Sequence, residues 1–136
     1  MSEESEINYK KASGTGIRHL INATRWSYSG LLAAVKNESA FRQELAGMLI
    51  SLPVAYWITE TPLEFALLMA VNLLVLVAEL LNSAIEAAID RISLEHHPLR
   101  GLSKDYGSAA VMTSLLLAAI VWAAMIMNYL SITPGN

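Results

Sequence analysis

The sequence predicts an all-α membrane protein, in which an N-terminal amphipathic surface helix precedes three transmembrane helices. Three observations carry that prediction. Of 136 residues, 54% are hydrophobic and only 15% charged, which is off the balance of a soluble domain. The apolar residues fall mainly into three long runs, and about 18 or more such residues are enough to cross a hydrocarbon layer of roughly 30 Å. Ahead of them, apolar residues recur at helical spacing beside a basic edge.

In chain order, Ser2-Glu3-Glu4-Ser5-Glu6 lacks the basic start of a cleaved signal peptide, so residues 1–13 read as a flexible tail. Residues 14–136 read as one membrane-embedded domain. Its surface helix is expected over 16–36, where Ile17, Leu20, Ile21, Tyr28, Leu31, Leu32 and Val35 share one stripe and Arg18, Arg25 and Lys36 line up beside it. A core helix of a soluble domain is the competing reading, and the basic edge and the spans that follow weigh against it. The first span is expected at about 40–58, apolar from Leu45 onward, with Pro53 as a site for a kink. The second is expected over 62–82, continuing as helix to 92. It opens on Thr61-Pro62-Leu63-Glu64, where Thr61 caps, Pro62 suits the first turn and Glu64 completes a capping box. The third is expected over 107–130, with Ser103 as its cap and Asp105 near the positive end of the helix dipole.

The net charge of −3 identifies no partner, and no nucleic-acid partner is expected. The placement of the nine Lys and Arg residues says more. Lys10, Lys11, Arg18, Arg25, Lys36 and Arg42 precede the first span, and Arg91, Arg100 and Lys104 lie between the second and third. By the positive-inside rule the N-terminus and the 91–104 loop are cytoplasmic and the C-terminus lies outside. With no cysteine, disulfide and thiol chemistry are excluded.

The chemistry is carried by polar residues at the end of the second span. Counted from Glu79, the residues Asn82, Ser83, Glu86 and Asp90 stand at offsets 3, 4, 7 and 11, which is one face of a helix. At 1.5 Å per residue from Leu63, a layer of about 30 Å ends near Asn82. Glu79 then sits just inside the membrane edge and Glu86 about a turn above it. A carboxylate at that depth is costly unless paired or metal-bound, and marks a functional site by default. The bland alternative is a carboxylate that only holds helices together. A second polar group, Asn37-Glu38-Ser39-Ala40-Phe41-Arg42-Gln43-Glu44, opens the first span at the depth of Glu86. Taken alone it reads as a salt-bridged helix start, Glu38 with Arg42. Taken with Glu86 it offers two carboxylates to a hard cation such as Mg²⁺. Glu95-His96-His97-Pro98 lacks zinc spacing and reads as a polar loop. Gly14-Thr15-Gly16 follows no strand, and no phosphate-loop or protein-kinase signature occurs.

The run from Glu79 to Asp90 resembles the signature E-x-x-N-[ST]-x-[IV]-E-x-x-[VI]-D of the prokaryotic diacylglycerol kinases. The block 37–44 and the block Lys104-Asp105-Tyr106-Gly107-Ser108-Ala109-Ala110-Val111 are similar to family blocks in the same order. The resemblance covers about residue 16 to the end of the third span. It implies a homotrimer of three-span subunits in the bacterial inner membrane that phosphorylates diacylglycerol with Mg-ATP to give phosphatidic acid. It implies Glu79 as catalytic base, and Glu38 and Glu86 as carboxylates holding the metal on the nucleotide. Glu95, His97, Lys104 and Asp105 match nucleotide-contacting positions, while Arg42, Gln43, Asn82 and Ser108 stand with Glu79 at positions near the lipid. Where the family's surface helix offers an arginine, this chain has His19 with Arg18 beside it, and both are candidates. Trp26 stands at a nucleotide-side aromatic position often filled by tyrosine. A related branch phosphorylates undecaprenol, but residues 40–44 resemble the diacylglycerol branch more. A non-enzymatic helical assembly protein is the reading from another class, and it predicts no ATP turnover.

Overall fold

The computed structural model describes residues 16–92 and 98–132, and these are helical almost throughout. The helices are α1 (Ile17–Asn37), α2 (Ser39–Ile58), α3 (Pro62–Ile92) and α4 (Pro98–Ile132). The tail expected over 1–13, and Glu95 and His97, lie outside the described residues.

Helix α1 starts at Gly16, whose φ of 84° lies in the left-handed region that glycine adopts without strain. Its carbonyl accepts from the His19 and Leu20 N–H groups at 3.1 and 3.3 Å. Only Ala34 of α1 is buried, packed with Phe41 and Leu76. Ile17, Leu20, Ile21, Leu31 and Leu32 stay open to the surroundings, as in a helix that lays its apolar stripe into an interface.

A single extended residue, Glu38 (φ −101°, ψ 113°), separates α1 from α2. Its N–H closes α1 on the Ala34 carbonyl at 2.9 Å. The Arg42 guanidinium donates to the carbonyls of Val35 and Lys36 at 3.1 and 3.2 Å, satisfying groups that the end of α1 leaves without helical partners. Arg42 therefore caps α1, and the Glu38–Arg42 salt bridge considered above is not formed.

Helix α2 has 20 residues with Pro53 inside, about 30 Å at 1.5 Å per residue. The turn to α3 is the expected capping box: the Glu64 N–H donates to Thr61 Oγ1 at 3.3 Å, and the N–H groups of Glu60 and Thr61 donate to Glu64 Oε2 at 2.8 and 3.2 Å. Among the described residues two stretches are long and apolar enough to cross a membrane, Pro62–Arg91 and Leu99–Ser131, with mean hydropathy of 2.2 and 2.3. The polar opening of α2, Arg42-Gln43-Glu44, sets it apart from them.

One expectation is corrected. Ser103 does not cap α4, because the helix already begins at Pro98, whose ring presets φ for a first turn. Ser103 stands inside the helix and turns its hydroxyl onto the Leu99 carbonyl at 2.9 Å, the usual outlet for a serine in mid-helix. The fourth helix thus extends about two turns further toward α3 than the apolar run alone indicates.

Helices α3 and α4 pack along their length, with Val71 and Val75 against Ala118, Val121 and Trp122. About a third of the way along α3, three polar side chains answer one another. Trp122 Nε1 donates to Asn72 Oδ1 at 3.0 Å, Asn72 Nδ2 donates to Ser51 Oγ at 2.9 Å, and Ser51 Oγ donates to the Met48 carbonyl at 2.8 Å. This chain of hydrogen bonds ties α2, α3 and α4 and pairs polar groups that sit among apolar side chains.

Candidate functional site

The polar face of α3 opens into a cleft of about 430 Å³. Its walls come from three sources. The extended corner between α1 and α2 supplies Glu38, followed by Ser39 and Ala40; α3 supplies Glu79, Asn82, Ser83 and Glu86; α4 supplies Ser108, Val111, Met112 and Leu115. The helical repeat puts the α3 residues on one side, and the break at Glu38 turns that carboxylate toward them rather than along a helix surface.

Glu79 is the buried carboxylate of this group, 5% exposed. The charges of Glu38 and Glu86 both bear on it, so the upper part of the cleft is strongly acidic. Asn82 Nδ2 donates to Glu86 Oε1 at 3.2 Å, which holds that carboxylate along the α3 face. The Asn82 Oδ1 is buried without a hydrogen-bond partner and lies against Gly107 of α4, where an added Cβ would run into the amide. Glycine at 107 thus leaves room for the Asn82 amide between α4 and α3, and any larger residue would make that side chain shift. Below Glu79 the lining turns apolar at Val111, Met112 and Leu115.

A second cleft of about 530 Å³ lies under α1, lined by Ser27, Gly30, Ala33, Ala34, Asn37, Leu80 and Ala84. It shares Glu38 and Ser83 with the first. Glu38 therefore stands between a space under the surface helix and a space running down α4.

Near the end of α3, Asp90 Oδ1 receives Arg100 Nη2 at 2.8 Å and Lys104 Nζ at 2.9 Å. Hydrogen bonds from Lys104 and Arg100 hold its carboxyl below the usual range. The structure thus brings Glu38, Glu79, Asn82, Glu86 and Ser108 together and places Lys104 near the end of the same α3 face. Arg18, His19 and Trp26 are exposed on α1, Gln43 on α2 and Asp105 on α4, and none of them lines the acidic cleft. Arg42 lies at the α1–α2 corner as described.

Two residues escaped the sequence reading. Glu44 has no role as part of the 37–44 block, yet its Oε2 is buried without a partner, its charge and that of Glu79 bear on each other, and it lines a cavity with Asn72. Ser83 was placed on the polar face without a role, yet it borders both clefts. The signal for Glu44 was present, a carboxylate one residue before the apolar run of α2. Among the described residues no group of three or more His, Cys, Asp or Glu is arranged to hold a metal. The oxygen donors available are carboxylates facing a shared cleft.

Comparison with known proteins fits this arrangement to a family. The sequence profile described as "Prokaryotic diacylglycerol kinase" matches residues 25–126. The chain belongs to the prokaryotic diacylglycerol kinase family. Among relatives named diacylglycerol kinase, that of Haemophilus influenzae is 46% identical over 112 residues, covering 82% of this chain and 95% of the relative. The Pseudomonas aeruginosa relative is 46% identical over 114 residues, with 84% and 93% covered. The Escherichia coli K12 relative is 42% identical over 115 residues, with 85% and 94% covered. The stretch matched to the prokaryotic diacylglycerol kinases contains every residue of the acidic cleft and the Asp90–Lys104 pair.

Proposed function

We propose that this chain transfers the γ-phosphoryl group of ATP to the hydroxyl of diacylglycerol at the cytoplasmic face of the bacterial inner membrane, giving phosphatidic acid. The observation that carries the reading is the gradient in the acidic cleft. Carboxylates Glu38 and Glu86 line it with buried Glu79, and apolar Val111, Met112 and Leu115 complete it. A lipid alcohol needs such a boundary, with its acyl chains in the apolar part and its hydroxyl at the polar part.

Glu79 is the general base. It takes the proton of the lipid hydroxyl, the freed oxygen forms a bond to the γ-phosphorus, and the bond from that phosphorus to the β–γ bridging oxygen breaks, so that ADP leaves with the electron pair. Asn82 and Ser108, at the level of Glu79, orient the hydroxyl, and Arg42 and Gln43 act on the lipid side of the α1–α2 corner. Glu38 and Glu86 fit Mg²⁺, which takes one or two carboxylates and completes its shell with water and phosphate oxygens. Bound there with ATP, the ion would offset charge on the phosphates. Lys104 and Asp105 on α4, Glu95 and His97 shortly before it in the sequence, and Arg18, His19 and Trp26 on α1 hold the nucleotide from the cytoplasmic side. The space under α1, which shares Glu38, gives the nucleotide access to that carboxylate.

In this reading α2 is a third span, its polar first turn lying at the interface, and the protein is a homotrimer with a cytoplasmic N-terminus and a periplasmic C-terminus. The confinement of all Lys and Arg to two stretches supports the orientation. A periplasmic reporter fused at Asn136 is expected to be active, and one active only in the cytoplasm would overturn the orientation. The activity is tested in detergent micelles with Mg-ATP, offering diacylglycerol and undecaprenol side by side. Phosphatidic acid formation with little turnover of undecaprenol is expected. Preference for undecaprenol would move the chain to the other branch, and absence of turnover with both would overturn the kinase reading.

A further inference from the structure

Asp90 lies four residues beyond Glu86, hence one turn further along the same face of α3. Arg100 and Lys104 are themselves four apart on α4, so both project from one side of it. Left alone, two neighbouring cations repel. Here both converge on a single oxygen, Asp90 Oδ1, at 2.8 and 2.9 Å. The carboxylate screens the two cations from each other near the end of the acidic face. It also restricts Lys104, otherwise a flexible stem with a freely rotating ammonium, to a place about one turn beyond Glu86.

A bare structural clasp between α3 and α4 needs only one of these pairs. Around the group, α3 contributes Glu86 and Arg91 near Asp90, and α4 contributes Asp105 beside Lys104. Of the three cations Arg91, Arg100 and Lys104, only Lys104 stands in the α4 block that leads through Gly107 and Ser108 into the cleft. A cation held there without a restraint would be drawn toward the Glu38–Glu79–Glu86 carboxylates, where it would cover the space the phosphates need. A carboxylate at position 90 competes for it and keeps it at the rim.

We propose that Asp90 is a positioning residue for nucleotide use. It holds Lys104 one turn beyond Glu86, aimed at the polyphosphate of the incoming nucleotide and away from the acidic cleft. The proposal rests on the kinase reading and on Lys104 as a phosphate contact. It adds that Lys104 works only when placed by Asp90.

The test compares Asp90→Asn, Asp90→Glu, Lys104→Gln and the double variant Asp90→Asn/Lys104→Gln, reading KM for Mg-ATP, KM for diacylglycerol, kcat and thermal midpoint on the full-length protein. Asp90→Asn is expected to raise the ATP KM roughly three- to tenfold, with kcat and the lipid KM within about twofold of wild type. Asp90→Glu should recover most of that loss. Because Asp90 acts through Lys104, the double variant should be no worse than Lys104→Gln alone. A lowered midpoint with an unchanged ATP KM in Asp90→Asn would make the group a structural clasp and overturn the proposal. So would multiplicative losses in the double variant. If Lys104→Gln itself leaves the ATP KM unchanged, the assignment of Lys104 fails, and this proposal falls with it. Raised KM in Lys104→Gln with normal KM in Asp90→Asn overturns only the proposal.

Discussion

Two polar places lie within the apolar bundle, and they are built in opposite ways. At about 15 Å along α3 from Pro62, Asn72, Ser51 and Trp122 form a chain in which each donor finds an acceptor and three helices are joined. At about 25 Å along the same helix, Glu79 is buried beside Glu38 and Glu86, with no cation among the residues lining their cleft. Mutual satisfaction is what a structural group needs, since an unpaired polar atom in hydrocarbon costs several kcal/mol. A cluster of like charges that costs stability persists where a ligand completes it. On the proposed reading, the contrast separates what holds the helices from what acts on the substrate.

The largest expected effect breaks the acting side alone. Glu79→Gln should lower kcat by a factor on the order of 10² or more, while Mg-ATP binding by calorimetry stays near wild type and the thermal midpoint does not fall. Glu86→Gln should behave differently, weakening Mg-ATP binding by roughly tenfold, with partial recovery in excess Mg²⁺. Loss of nucleotide binding in Glu79→Gln and its retention in Glu86→Gln would reverse the two roles. Next comes Gly107→Ala. Its methyl occupies the place of the Asn82 amide, so Asn82 must leave Glu86, and kcat/KM for the lipid should drop about fivefold through misplacement. An unchanged rate would show that α4 yields at that point.

On the holding side, Asn72→Leu orphans the Trp122 N–H and should destabilise by about 1–2 kcal/mol, read as a lower unfolding midpoint in micelles. Specific activity of the folded fraction should stay near wild type, and a loss comparable to that of Glu79→Gln would erase the distinction drawn above. The smallest effect concerns Asp90, whose carboxyl is held below its ordinary range by Lys104 and Arg100. A depressed carboxylate stabilises above its unfolded pKa, and the contribution disappears as pH falls through the lowered value. The difference in midpoint between wild type and Asp90→Asn should therefore be present at pH 7 and shrink below about pH 4. A difference that persists in acid would mean that the contribution is not ionic.

The elements were legible where local chemistry is strong. The turn at Thr61–Glu64 could be read from four residues because a capping box satisfies its own donors, and the polar face of α3 from spacing alone because a helix repeats every 3.6 residues. The start of α4 was misread because Ser103 has the chemistry of a cap, whereas Pro98 opened the helix earlier. Glu44 was passed over because its environment is supplied by Asn72 and Val75 on α3 and by Leu115 and Ala118 on α4.

By itself, the order of residues determined an amphipathic helix followed by three apolar runs, and one helix face bearing Glu79, Asn82, Ser83, Glu86 and Asp90. These depend on periodicity and on groups a few residues apart, which the backbone brings together in any context. Only the tertiary structure decided that Glu38 joins that face, that Arg42 serves the end of α1, that Gly107 admits Asn82, and that Lys104 rests on Asp90. Each of these joins residues on different helices or turns a side chain away from its nearest partner in sequence, and packing of the helices sets such distances.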